Sequence, residues 1–178
     1  MVMILMKKLI IIGLAIGMMF MVYNKSNDAV IIPNEAIRLR VVPNSNSVRD
    51  IEMKGLVRNY LEDNVYNMLK DTETVSEARD IINSNISSID EGIDNIFKNS
   101  NYEMNYEVKF GSNYFPDKEY KGVIYPEGNY ESLVVYIGEA QGDNWWCVLF
   151  PPLCLLEAEE AEDVEYSFWV KEMIDKIF

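Results

Sequence analysis

An α+β fold of two layers, a helical hairpin packed on a mainly antiparallel sheet behind an N-terminal signal or anchor segment, is the architecture this chain of 178 residues predicts. Three observations predict it. Two long stretches, from Val48 to Lys70 and from Val75 to Phe97, repeat apolar residues at helical spacing. They are parted by only about four residues, the connection of an antiparallel helix pair. Runs of period-two alternation, separated by glycine, proline and asparagine, occupy residues 102–150, and one more such run precedes the helices. Strands on both sides of a helical pair give one sheet with one helical cover. A chain of this length supports a single domain with its own core.

Lys7 and Lys8 stand before the uncharged apolar run Leu9 to Val22. That is a basic n-region and an h-region of export-signal length, short of the roughly 20 residues that span a bilayer. Residues 1–23 are therefore expected to be a signal peptide or membrane anchor; no clear small-residue cleavage pattern chooses between removal and retention. Residues 24–34 read as a tether, 35–156 as the single α+β domain, and 157–178 as an acidic linker with an amphipathic C-terminal helix.

Within the domain, Ala36 to Val42 alternates apolar and basic residues, with Ile37, Leu39 and Val41 on one face, and should be a strand. Pro43-Asn44-Ser45-Asn46-Ser47 is dense turn chemistry, and Ser45 or Ser47 can cap the helix that follows. The first helix carries Ile51, Leu56, Val57, Tyr60, Leu61, Val65, Met68 and Leu69 at core spacing. Thr74-Val75-Ser76-Glu77 is a capping box opening the second helix, with Ala78, Ile81, Ile82, Ile86, Ile89, Ile93, Ile96 and Phe97 as its stripe. A half-buried strand is expected from Tyr102 to Phe110. Tyr120 to Tyr125 and Tyr130 to Ile137 follow, divided by the turn Pro126-Glu127-Gly128-Asn129. Asn144 to Phe150 completes an antiparallel meander, and Tyr166 to Phe178 forms an amphipathic helix whose apolar face is expected to dock on the domain's own core, a partner-binding or membrane-touching tail being the other reading.

The stretch from Asn144 to Cys154 holds both cysteines and two of the three tryptophans. Adjacent Trp145 and Trp146 on an extended strand point to opposite faces. One ring can enter a core, and the other must cover a second surface or meet a partner. Pro151 and Pro152 remove two backbone donors, so the chain leaves the sheet there in a stiff connection. Cys147 and Cys154 suit an exported protein as a disulfide, which would stabilise the domain by about 2–3 kcal/mol; two free buried thiols are the other reading.

Charge and composition narrow the function classes. The chain has a net charge of −13, and its acids lie wholly beyond the basic N-terminus. Such a domain is repelled by nucleic acid and by anionic lipid. Histidine is absent, which removes Ser-His-Asp and Cys-His activation and the usual zinc ligand sets. Phosphate-cradling glycine motifs are missing too. The acidic run Asp90-Glu91-Gly92-Ile93-Asp94 lacks the ligand spacing of a calcium loop and sits on a helix. No cofactor and no metal are expected, and no acid stands in a catalytic motif, so a binding or signalling domain is the better class than an enzyme.

Two blocks then bring a family into view. Arg38-Leu39-Arg40-Val41-Val42-Pro43-Asn44-Ser45-Asn46-Ser47, with Asp50, Lys54 and Val57-Arg58 after it, resembles the N-terminal block of the stage II sporulation protein R family. Tyr125-Pro126, Gly128, Tyr130, Ile137-Gly138, Gly142, and Asn144 through Cys154 resemble its C-terminal block. The resemblance covers about residues 36–156. It implies a protein made in the forespore, exported into the space between the septal membranes, and able to activate a membrane-embedded aspartic protease that processes pro-sigma-E. On that reading the chain is a ligand, and Asn144, Trp145, Trp146, Phe150, Pro151, Pro152, Asn44 and Ser45 are the candidate partner-binding residues. A Cys147–Cys154 bridge would hold the aromatic residues in place before binding. A secreted hydrolase using a carboxylate pair and a cell-wall or spore structural protein are the competing classes.

Overall fold

The computed structural model describes Met6 and residues 11–14, 16–19, 30–120, 123–153 and 163–178. Most of the predicted signal segment, residues 24–29 of the tether, Cys154, the acidic stretch 157–162 and the side chains of Phe168 and Trp169 lie outside the described residues. Residues 11–14 and 16–19 are helical with exposed side chains, so this part of the N-terminus does not join the core. Among the described residues, no helix is long and apolar enough to cross a membrane.

The elements run β1 (Val30–Ile31), β2 (Ile37–Val42), α1 (Val48–Leu69), α2 (Val75–Asn99), β3 (Tyr106–Phe115), β4 (Lys118–Tyr120), β5 (Val123–Tyr125), β6 (Gly128–Ile137), β7 (Trp145–Phe150) and α3 (Asp163–Ile177). The fold is α+β: the α1–α2 hairpin covers one face of a four-stranded sheet ordered β3-β6-β2-β7. Two of its pairings, β3 with β6 and β2 with β7, are antiparallel, while β2 and β6 run parallel at the centre. The parallel pair needs a long crossover, and the helical hairpin lies within it.

Both helix starts follow the local chemistry. Ser47 caps α1 by accepting from the Asp50 amide, and Thr74 caps α2 by accepting from the Glu77 amide at 3.2 Å. The Glu77 carboxylate in turn accepts from the Glu73 amide. Thr74→Ala should therefore destabilise the fold by about 1 kcal/mol, read as a shift in the urea midpoint, with Thr74→Ser nearly neutral.

The core between helices and sheet takes Val57, Leu61, Val65 and Leu69 from α1, Ala78, Ile82, Ile89, Ile93 and Phe97 from α2, and Ile37, Leu39, Val41, Leu133, Val135 and Ile137 from the sheet. The α1 stripe is shifted from the expected one. Met53 is buried, whereas Ile51 and Leu56 are exposed, because a strict four-residue step from 53 to 69 leaves them on the flanks. Arg79 Nε donates to both carboxylate oxygens of Glu131, at 2.7 and 3.0 Å, an ion pair that ties α2 to β6.

Three expectations are corrected by pairing between distant segments. The meander is interrupted: β4 and β5 leave the main sheet and join β1 in a second sheet ordered β1-β5-β4, so Pro126–Asn129 links two sheets and does not close a hairpin. The predicted tether is partly structured, since β1 pairs in parallel with β5 and Ile32 is buried. Tyr102 is buried but precedes its strand; β3 begins at Tyr106 and continues to Phe115.

The second sheet and α3 cover the face of the main sheet opposite the helical hairpin. Ile32, Ala36, Val123, Tyr125, Val148, Leu153 and Val170 form a second, smaller core there, with Trp146, Met173 and Ile174 against it.

Candidate partner-binding surface

The surface is built by three segments that the sheet brings side by side: the turn 43–47 after β2, the loop 138–143 after β6, and β7. The turn and loop are laced together. Gly142 and Gln141 donate backbone bonds to the carbonyls of Pro43 and Asn44, both at 3.1 Å. The amides of Glu139 and Asp143 donate to the side-chain oxygens of Asn44 and Asn46 at 3.0 and 2.7 Å. Gly138 takes φ +55°, a left-handed turn that a side chain would strain, and Asn44 packs against its Cα. Lys54 of α1 adds a bond from its ammonium to the Asp143 carbonyl at 2.8 Å. The chain is thus held firmly just before Asn144.

Beneath the turn lies a buried carboxylate. Asp50 accepts from Ser45 Oγ at 2.5 Å, Tyr102 Oη at 2.5 Å and Asn44 Nδ2 at 3.1 Å. These donors favour the charged form, so the Ser45 hydroxyl first, and then Tyr102, hold the carboxyl well below the usual carboxylate range against the opposing effect of burial. Burial and the bond to Asp50 push the Tyr102 hydroxyl up to about 12. Asn44 and Ser45, expected to face a partner, are half-buried and spend their side chains on Asp50 and the loop. Their structural part is to shape the surface. Asp50 itself was legible only as a charge near a helix start; its position three residues after the Ser47 cap is the local signal for more.

In β7 the two indoles separate as alternation requires. Trp145 packs half-buried against the helix-side core, with the Arg58 guanidinium 5.9 Å from its ring. Trp146 packs half-buried on the opposite face, edge to face with Tyr125 at 5.0 Å, and the Lys118 ammonium lies 5.1 Å from its ring. Neither ring is an unsupported blade. Asn144 is exposed, Pro151 buried and Pro152 half-buried. Phe150 is fully buried, so its expected contact with a partner is corrected to a core role. The cause is a register shift opposite Ile37 and Arg38: Phe150 pairs with Ile37 and Val148 with Arg38, leaving Leu149 between them, and Leu149 and Phe150 both enter the helix-side core. Cys147 is not a free thiol, while Cys154 lies outside the described residues.

Arg38 opens the first family block, and nothing in its local pattern signals burial; it is nevertheless fully buried, with its guanidinium carbon 3.4 Å from the Tyr130 ring centroid and 5.0 and 5.7 Å from those of Phe115 and Trp146. One Nη2 bond reaches the Pro126 carbonyl at 3.3 Å.

Among the described residues, no cluster of three or more histidine, cysteine or acidic side chains could hold a metal. An open groove of about 640 Å³ between the end of α2 and residues 101–106 is lined by Phe97, Tyr102, Met104 and Tyr106 with Asp94 and Lys98, and those last two pair with each other.

Comparison with known proteins matches both blocks. The family model described as Stage II sporulation protein R covers residues 33–160. Stage II sporulation protein R of Bacillus subtilis (strain 168) is 36% identical over 139 residues, which is 78% of this chain and 62% of that relative. The match therefore spans less than two thirds of the curated relative's length. No solved structure matches the chain.

Proposed function

The chain belongs to the stage II sporulation protein R family, which implies a role in sporulation, and we propose that it is an exported signalling ligand that switches on a membrane-embedded aspartic protease, so that pro-sigma-E is processed in the neighbouring compartment. The observation that carries this reading is the family match over residues 33–160, and within it turn 43–47, loop 138–143 and β7 form one laced surface. A ligand needs a stiff, pre-ordered face and no reactive centre of its own. The chain has no histidine, and Asp50 is held ionised, the opposite of what a general acid requires at neutral pH. The apolar run behind Lys7 and Lys8 supplies export, with the domain outside the cytoplasm of the cell that makes it.

The receptor is contacted, on this proposal, through Asn144, the outer parts of Trp145 and Trp146, and Pro152. Phe150, Pro151, Asn44 and Ser45 serve as the frame. Co-production of the chain with the candidate protease and a pro-sigma-E substrate tests the function: processing should appear only when all three are present. Unchanged processing without the chain rejects it.

A Cys147–Cys154 bridge belongs to the same proposal. Pinning the chain beyond Pro152 to β7, it should stabilise the domain by about 2–3 kcal/mol. Reduction, or Cys147→Ser with Cys154→Ser, is expected to lower the melting temperature by roughly 4–12 °C. A reduced sample that melts with the oxidised one removes the bridge from the account.

A further inference from the structure

Arg38 sits between the main sheet and the second one, and its surroundings are unusual for a charge. Four aromatic rings surround it: Tyr130, Phe115, Trp146 and, at 6.0 Å, Tyr125. A neutral carbonyl, that of Pro126, takes one N–H. Among the described residues, no acceptor faces its Nε or Nη1, and no carboxylate pairs with it. Rings offset part of the lost hydration of a guanidinium, but a buried charge with unmet donors still opposes the layer that covers it. Desolvation accordingly pulls its pKa down from the ordinary arginine value.

The covering layer is held by its own small core and by Ile177 of α3, which packs against the helix-side core. Its strands are two, three and three residues long, against ten in β6, and its core is the smaller of the two. Arg38 itself belongs to β2, inside the main sheet, and stays fixed whatever the cover does.

We propose that β1, β4, β5 and α3 form a lid that opens as a unit from the main sheet, uncovering Arg38 with the rings of Tyr130 and Trp146 while the helix-side core stays folded. The open form presents a fixed cation among aromatic faces, whose complement is a carboxylate. The closed form hides it. The opening is a property of the chain alone and does not depend on the identity of the receptor.

Native-state hydrogen exchange on the purified full chain tests the lid. The Ile32 amide, bonded to the Ile124 carbonyl at 3.0 Å, reports it, and the Val134 and Val135 amides of β6 report the main sheet. The expected result is Ile32 exchange at least about 100-fold faster than that of β6, with a weaker dependence on denaturant. Arg38→Met, apolar and of similar length, should slow Ile32 exchange by roughly tenfold and leave the β6 rates less changed. Arg38→Lys, which keeps the charge but loses the flat stack, should speed Ile32 exchange instead. Equal rates and equal denaturant slopes for Ile32 and β6 in the unmodified chain would overturn the proposal, even if neither variant folds. So would an Arg38→Met chain whose Ile32 exchange is no slower.

Discussion

Asp50→Asn is expected to lower the melting temperature of the domain by roughly 6–12 °C, the consequence of losing about 3 kcal/mol. The carboxylate accepts three side-chain hydrogen bonds, two of them at 2.5 Å from hydroxyls, in a site that is 6% exposed. An amide keeps the shape but turns one acceptor into a donor facing Ser45 or Tyr102, and it removes the charge that made those bonds strong. Scanning calorimetry of the two chains side by side gives the answer, and a difference below 2 °C would mean that the network contributes little. The effect should follow pH. Asp50 titrates below its ordinary value of 3.8 when folded, so its contribution is complete above that value and fades as the pH falls through the folded one. The difference between the two chains should therefore begin to shrink as the pH falls below about 4 and keep shrinking toward the folded value. On the alkaline side, the raised Tyr102 value acts in the reverse sense: its contribution is present below about pH 10 and is lost as the pH climbs toward 12.

Gly142→Ala should produce the largest functional loss per atom added. A Cβ built at Gly142 lies 2.5 Å from the Ser45 carbonyl oxygen and 2.6 Å from its carbon, which are backbone atoms that no rotamer change can move away. The loop and the turn must part, and the bonds from Gly142 to Pro43, from Gln141 to Asn44 and from Asp143 to Asn46 lengthen with them. Overpacking of this kind costs about 1–3 kcal/mol. On the proposed function, the displaced Asn144–Trp146 segment should also lower protease activation tenfold or so, since hot-spot residues tolerate little displacement. Measuring pro-sigma-E processing at a temperature where both chains are fully folded separates the two effects. Full activation by a correctly folded Gly142→Ala chain would detach this loop from receptor binding.

The parts legible in the sequence share one property: their signals are local. Thr74 and Glu77 mark the start of α2 because a cap and its partner lie three residues apart. Trp145 and Trp146 were bound to face opposite ways, and they do, whatever strand they pair with. Met53 and Ile51 were misjudged on α1 because both fit a helical stripe until the neighbouring helix and sheet choose the angle of contact. Asn44 and Ser45 are partner-binding candidates through the family block they lie in, whereas Asp50 and Tyr102, 52 residues apart, draw them inward.

Periodicity along the chain was thus enough for the two helices, for most of the strands and for the α+β class, since backbone geometry ties each pattern to one kind of element. It could say that a face was apolar or mixed, but not what would lie on it. Strand order, the second sheet, the burial of Arg38 and the inward turn of Phe150 all depend on contacts between segments far apart in the chain. Those contacts are selected by the joint packing of the whole domain, where covering Val148, Trp146 and Tyr125 outweighed leaving one arginine without a counter-charge.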